Sequence, residues 1–139
     1  MAGAAQGATL GKIIFDTDIL IWYFRGEQKA LRFIASVGYS DRAISSLTVM
    51  ELVQGCRNRE EQGALKNFLF GNIAQIVHPS ESIAERAIAL LERYAASKGL
   101  RVVDALIAAT AISCSAVLAT ANIKHCRGID GLELKPFRV

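Results

Sequence analysis

Short apolar runs alternate with segments of helical periodicity along most of the chain, and this alternation restricts its fold more than any other feature. The run at residues 12–15 (KIIF) is almost wholly apolar and β-branched, which is typical of a strand buried on both faces of a sheet. Further strands are predicted at residues 42–45, 73–77, 116–119 and 132–134. Strands separated by helices indicate an α/β domain with a mainly parallel sheet of four to five strands.

The helical segments carry local start and stop signals. Ser46 is predicted to cap the helix that follows the second strand. Ser82 and Glu85 match a capping box that would open a long helix ending at Gly99. Residues 102–114 are mostly small or branched apolar residues, so this helix is predicted to be buried on nearly all sides.

Composition and length favour one folded domain. The chain has 139 residues, of which 52% are hydrophobic and 21% are charged, far from the composition of disordered proteins. Its net charge of +3 permits binding to a polyanion without establishing it. Residues 1–11, rich in Ala and Gly, are interpreted as a disordered tail, which leaves residues 12–139 as a single domain.

Cysteine usage and hydropathy predict a cytoplasmic protein that does not associate with membranes. Cys56, Cys114 and Cys126 are odd in number and lack the C-x-x-C spacing of zinc or redox sites, which favours a reducing compartment. No apolar run reaches the roughly 18 residues needed to cross a bilayer. Residues 1–11 also lack the basic start and apolar stretch of a signal peptide.

Three carboxylates stand where chemistry is expected. Asp16 ends the first strand, and ligands of parallel sheets bind at the carboxyl ends of strands. Glu51 and Asp104 lie near the starts of two helices that are predicted to pack on the sheet. If the three meet at one edge of the sheet, a divalent cation offsets their repulsion, and all-oxygen coordination suits Mg²⁺ or Mn²⁺.

Each carboxylate also has a purely structural interpretation. Asp16 or Asp18 is placed to cap the helix after the first strand. The spacing of Thr48 and Glu51 matches a capping box, and Asp104 would complement the dipole of the apolar helix. Only their meeting in space distinguishes a metal site from three separate helix starts.

Four motifs in order resemble those of PIN domains, and a fifth segment resembles the usual end of the family. The resemblance covers the chain from about Lys12 to the C-terminus. The motifs lie at residues 14–21 (IFDTDILI), 45–52 (SSLTVMEL), 99–108 (GLRVVDALIA) and 118–125 (LATANIKH), and the final segment at 131–134 (GLEL). Each motif is weak alone, but four in register are a specific signal.

The resemblance implies a three-layer α/β/α sandwich and a metal-dependent endoribonuclease that hydrolyses RNA phosphodiester bonds. Asp16, Glu51 and Asp104 are carried over as ligands of Mg²⁺ or Mn²⁺. Similarity to VapC toxins further implies a cognate VapB-like antitoxin and a homodimer. Antitoxins of such proteins dock near the first helices, so the aromatic cluster Trp22, Tyr23 and Phe24 is the candidate docking surface, although core packing is its ordinary role.

The fourth motif departs from the family pattern. PIN domains often carry a further aspartate there, whereas this chain has Asn122 and His125. Thr120 and Asn122 are therefore assigned to the catalytic set, where they would orient a water or a phosphate. Asp18 would assist through a water. The lost charge leaves the number of bound metals open.

Two other functions remain open from the sequence. One is a catalytically impaired PIN-like module that binds RNA or protein, which the missing carboxylate motivates. The other is a small phosphatase with an aspartyl nucleophile, although Leu20 stands where that motif has Thr or Val. In the nuclease interpretation the RNA backbone contacts basic residues near the cleft: Arg57, Arg59, Lys98, Arg101, Lys124 and Arg127.

Overall fold

A computed structural model describes residues 12–139, so the predicted tail at residues 1–11 lies outside the described part of the chain. Five strands form one sheet in the order β3-β2-β1-β4-β5, and every neighbouring pair is parallel. The strands are β1 (Ile13–Phe15), β2 (Arg42–Ser45), β3 (Gln75–Val77), β4 (Val117–Thr120) and β5 (Glu133–Pro136). The predicted α/β fold with a parallel sheet is confirmed, with the larger of the two predicted strand numbers.

Helices cover both faces of the sheet. They are α1 (Thr17–Phe24), α2 (Gln28–Ala35), α3 (Ser46–Gln54), α4 (Arg59–Asn72), α5 (Glu81–Lys98), α6 (Val102–Ser113) and α7 (Ile123–Cys126), with a 3₁₀ turn at Tyr39–Asp41. Successive strand residues point to opposite faces. Ile14 packs in the core formed with α5 and α6, whereas Ile13 and Phe15 pack in the core formed with α1, α2 and α4. The three-layer sandwich is therefore confirmed.

Helix α6 is largely buried, as its composition predicts, although its first and last residues, Val102 and Ser113, are exposed. It packs against α5. The turn between the two helices begins at Gly99, which adopts a left-handed conformation with φ of 70°. A left-handed residue at this position ends a helix sharply, and glycine adopts it without a steric cost. Within residues 12–139, no helix is long and apolar enough to cross a membrane.

Two predicted helix caps are wrong by one or two residues. Ser45, rather than Ser46, caps α3, because its Oγ accepts a hydrogen bond from the backbone N–H of Leu47 at 3.0 Å. Ser80, rather than Ser82, caps α5 through its Oγ, which accepts from Ile83 N–H at 3.2 Å. In both cases the serine that keeps an extended backbone is the cap.

Candidate metal centre

The predicted acidic residues line one open cleft of about 410 Å³ at the carboxyl edge of the sheet. Asp16 lies between β1 and α1, Glu51 on α3, and Asp104 in the first turn of α6. Strands β1 and β4 are neighbours, so the segment after β4 brings Asn122 to the same cleft. Asp18 also lines it. The predicted convergence at one edge of the sheet is present in the form of this shared cleft.

Asp16 is the most buried carboxylate of this cleft, with 9% of its surface exposed. Its Oδ1 accepts a hydrogen bond from Thr17 N–H at 2.8 Å, so it is also the N-cap of α1. Its Oδ2 accepts from the Thr120 hydroxyl at 2.6 Å. Burial, followed by repulsion from Asp18, raises the pKa of Asp16 to about 7, despite these hydrogen bonds. Within residues 12–139, no cationic side chain forms an ion pair with Asp16 that would offset its negative charge.

Asp18 is the second residue of α1 and lines the same cleft. Burial raises its pKa, and nearby backbone amides of Ile19 and Ala121 partly offset that effect. Its Oδ1 is shielded from solvent and has no hydrogen-bond partner within residues 12–139. The capping role that was an alternative for Asp18 belongs instead to Asp16.

Glu51 is held by a pair of buried threonines. The Thr17 hydroxyl donates to Glu51 Oε1 at 2.5 Å, and Thr48 Oγ1 lies 3.0 Å from the Thr17 hydroxyl. Thr48 lies inside α3, since Ser45 is the cap, so the capping-box interpretation of Thr48 and Glu51 is wrong. Sequence reasoning assigned no role to Thr17. Its position directly after Asp16 was the available signal, but only the fold shows that its hydroxyl reaches α3.

Asp104 combines a helix-start role with a place in the cleft. Its Oδ2 accepts from Arg101 N–H at 3.3 Å, which satisfies a free amide at the start of α6. Its Oδ1 accepts from the Asn122 side-chain amide at 3.4 Å. The Thr120 hydroxyl, besides donating to Asp16, accepts from Asn122 N–H at 2.8 Å. Thr120 and Asn122 therefore orient the carboxylates themselves.

The donor set fits a hard divalent cation. The carboxylates share the cleft. Within residues 12–139, however, no three Asp, Glu, His or Cys side chains lie close enough together to form a preformed metal site. Like charges repel, and burial of Asp16 adds to the cost of ionising it, so its pKa is raised. Carboxylate oxygens and the Asn122 carbonyl are ligands that Mg²⁺ and Mn²⁺ prefer.

A second, larger groove of about 730 Å³ adjoins the cleft and shares Ile21 and Glu51 with it. Its apolar lining includes Phe24, Leu52 and Leu65. In the predicted aromatic cluster, Tyr23 and Trp22 are half-buried, and the Tyr23 ring lies 4.4 Å from that of Phe68, between ring centroids. Phe24 keeps 43% of its surface exposed on the groove wall.

Of the six basic residues that the sequence analysis placed near the cleft, only Arg57 lines one of these two openings. Arg57 forms an ion pair with Glu61 at 2.7 Å beside the groove, so part of its charge is already compensated. The Lys98 ammonium lies 5.7 Å from the centre of the Tyr94 ring. Arg59, Arg101, Lys124 and Arg127 are exposed.

Comparisons with known proteins place the fold and the motifs in one family. The PIN-domain family model matches residues 13–128. Ribonuclease VapC19 of Mycobacterium tuberculosis is 36% identical over 115 residues, which cover 81% of this chain and 90% of that protein. Among solved structures, a toxin–antitoxin complex from Klebsiella pneumoniae contains a chain that is 32% identical, with a TM-score of 0.78; the match covers 92% of this chain and all of that one.

A further solved structure supports the same grouping. VapBC2 from Rickettsia felis, bound to a DNA fragment from its promoter, matches at 25% identity with a TM-score of 0.70, covering 91% of this chain and 98% of the other. The match to the family model spans more than half of the chain and includes the motifs that carry Asp16, Glu51 and Asp104. The chain therefore belongs to the PIN-domain family, and its predicted VapC-like character is confirmed.

Proposed function

We propose that this protein is a metal-dependent endoribonuclease and the toxin component of a VapBC toxin–antitoxin system. The observation that carries the proposal is the shared cleft of Asp16, Glu51 and Asp104 in a chain of the PIN-domain family. The similarity to Ribonuclease VapC19 supports RNA as the substrate. The family match also favours a nuclease over an aspartyl-nucleophile phosphatase.

Asp16, Glu51 and Asp104 would hold Mg²⁺ or Mn²⁺ in this cleft. The bound cation supplies an activated water and neutralises the charge that develops on the phosphate. The Thr120 hydroxyl fixes the rotamer of Asp16, and the Thr17 hydroxyl fixes Glu51. Asn122 holds Asp104 through its side-chain amide. The chain's own contribution is thus a set of oxygens oriented before substrate arrives.

The exposed basic residues suit the RNA backbone. Arg101 directly precedes α6 and lies three residues from Asp104, which places a cation near the rim of the cleft. Arg59 and Lys124 are further exposed cations. Such contacts position a polyanion without reading its sequence, so they give affinity that falls as salt rises.

The direct test is cleavage of a structured RNA by the purified protein in Mg²⁺ or Mn²⁺, with EDTA as the comparison. We expect cleavage only with the metal, and recovery when excess metal is returned to the EDTA sample. Cleavage that persists in EDTA would contradict the metal-dependent mechanism. RNA binding without any cleavage would instead support the alternative of a PIN-like binding module.

We also propose that a VapB-like antitoxin occupies the groove lined by Phe24, Leu52 and Leu65. The structural relatives include toxin–antitoxin and VapBC complexes. An apolar groove with ionic groups at its side suits a protein segment that carries apolar anchors. Because the groove shares Ile21 and Glu51 with the acidic cleft, a segment seated in it also obstructs RNA there.

Replacing Ala64 by Glu tests the docking proposal. Ala64 is an exposed residue of α4 on the groove wall, so a longer charged side chain enters the groove without disturbing the core. We expect binding of a VapB-like antitoxin to weaken at least about tenfold, since the longer side chain occupies part of the groove and desolvating its charge costs more than about 1.4 kcal/mol. RNA cleavage should stay at the wild-type rate.

The matched control is Ala96→Glu, which makes the same change at an exposed position of α5 away from the groove. The affinity of each variant for the VapB-like antitoxin is measured by calorimetry, after the antitoxin has been co-purified with the chain and then separated from it. Equal affinity of the Ala64→Glu and Ala96→Glu variants would place the antitoxin elsewhere. Growth arrest on expression, relieved by co-expression of the same partner, reports the toxin role independently.

Homodimerisation, which the family resemblance implies, stays a prediction. Several large apolar side chains are exposed, among them Met50 on α3, Ile88 on α5 and Val102 at the start of α6. Exposed apolar surface of this kind is what self-association covers.

A further inference from the structure

Asp18 presents a carboxyl group that the described part of the protein leaves incompletely satisfied. Its Oδ1 is shielded from solvent and has no hydrogen-bond partner within residues 12–139, while the side chain lines the acidic cleft. Buried polar atoms without a partner are rare in folded proteins and cost free energy unless something else binds them. The position therefore calls for a partner that is not an amino-acid side chain.

Structural roles do not account for Asp18. The N-terminus of α1 is capped by Asp16, which accepts the hydrogen bond from Thr17 N–H. The ion pairs found within residues 12–139, Arg57–Glu61 and Arg93–Asp130, do not involve it. Backbone amides of Ile19 and Ala121 stabilise the charge of Asp18 in part, but its Oδ1 keeps no partner within residues 12–139.

The neighbours of Asp18 make its charge more costly. The negative charges of Asp16 and Asp104 act on the same cleft, and α1 fixes Asp18 two residues from Asp16. Asn122 also lines the cleft, but it is neutral and uses its amide to hold Asp104. The cleft thus contains Asp18 in addition to the three predicted ligands, and it has a neutral residue, Asn122, in the segment after β4.

We propose that Asp18 is the fourth carboxylate of the metal centre and supplies the charge that Asn122 lacks. This inference rests on the proposed metal-dependent function and adds a ligand to it. A divalent cation in the cleft would provide the partner that Asp18 lacks. Asp16 at the cap of α1, Asp18 on α1, Glu51 on α3 and Asp104 on α6 would then be the four carboxylates that hold the cation.

The test measures binding of Mn²⁺ alone to the full chain, by the loss of the free-ion signal in electron paramagnetic resonance. Six variants are compared with the wild type: Asp18→Asn, Asn122→Asp, the double variant, Asp16→Asn, Asp104→Asn and Asp130→Asn. Asp130→Asn removes one carboxylate from an exposed ion pair that does not line the cleft, so it controls for the change in net charge. Far-UV circular dichroism verifies that each variant is folded.

We expect Asp18→Asn to weaken Mn²⁺ binding by about tenfold or more, within the range found when supporting groups of metal sites are removed. The double variant, which restores four carboxylates, should return to within about threefold of the wild type. Asp130→Asn should bind as the wild type does. The single variant Asn122→Asp should gain little, because the wild-type set is already complete.

Different results overturn different claims. Wild-type affinity in Asp18→Asn, or a gain of about tenfold in Asn122→Asp alone, would show that Asp18 is not a ligand. The Asn122→Asp arm needs no change at Asp18, so it remains decisive even if Asp18→Asn misfolds. If Asp16→Asn and Asp104→Asn also bind Mn²⁺ as the wild type does, the metal centre itself is wrong, and the proposed function fails together with this inference.

Discussion

Asp104→Asn is expected to lower the rate of metal-dependent RNA cleavage by about a thousandfold. The change keeps the shape of the side chain, and its remaining oxygen can accept one of the two hydrogen bonds that Asp104 accepts, but the negative charge at the start of α6 is lost. A bound cation lowers the barrier of phosphoryl chemistry by several kcal/mol, and each 1.36 kcal/mol corresponds to about tenfold in rate. Losing one ligand forfeits most of this effect.

The control for this prediction is Asp130→Asn. It removes the same charge, but from an ion pair with Arg93 in which both side chains are more than half exposed. Exposed pairs of this kind contribute at most about 1 kcal/mol to stability, so the variant should fold and cleave at the wild-type rate. Single-turnover cleavage of a labelled RNA measures both variants. Equal rates in Asp104→Asn and the wild type would remove Asp104 from the catalytic set.

The fold was predictable where local signals and burial agree. The apolar run of β1 and the all-apolar α6 are explained by the two cores that they enter, and Gly99 ends α5 as predicted. The order of strands in the sheet was not predictable from these signals. It depends on how α5 and α6 cross over the sheet to bring β4 beside β1, which is a contact between residues about a hundred positions apart.

The convergence of Asp16, Glu51 and Asp104 was predictable because parallel strands present their carboxyl ends on one edge of the sheet. The hydrogen bonds that hold these residues were not. Thr17 is buried below the cleft and reaches Glu51, 34 positions away, with its hydroxyl. Likewise, the sequence left both Asp16 and Asp18 as possible caps of α1, and only the backbone geometry shows that Asp16 is the cap.

Without divalent cations, the free energy of unfolding is expected to fall as pH rises from about 4 to about 7. Burial and the charge of Asp18 raise the pKa of Asp16 from 3.8 to about 7 in the folded protein. Between these values the folded state keeps the proton on Asp16 and the unfolded state does not. Its stabilising contribution is therefore complete below pH 3.8 and is lost as pH approaches 7.

The expected loss is on the order of 2–4 kcal/mol, since each unit of pKa difference corresponds to about 1.4 kcal/mol. Urea unfolding in EDTA at about pH 5 and about pH 8 measures it, in the wild type and in Asp16→Asn. The variant keeps a neutral side chain at every pH, so the titrating groups that do not interact with Asp16 cancel in the comparison. Parallel pH profiles of the two proteins would show that Asp16 does not titrate in this range.

Metal and proton compete for the same carboxylate, so the two effects are linked. At about pH 8, where Asp16 is ionised, Mn²⁺ at a hundred times its dissociation constant should stabilise the wild type by about 2.7 kcal/mol. At about pH 5 the same addition should have a smaller effect, because binding must first displace the proton from Asp16. Asp16→Asn should lose this pH dependence together with most of the stabilisation. A protein that is stabilised by Mn²⁺ equally at both pH values would bind the metal at a site that does not include Asp16.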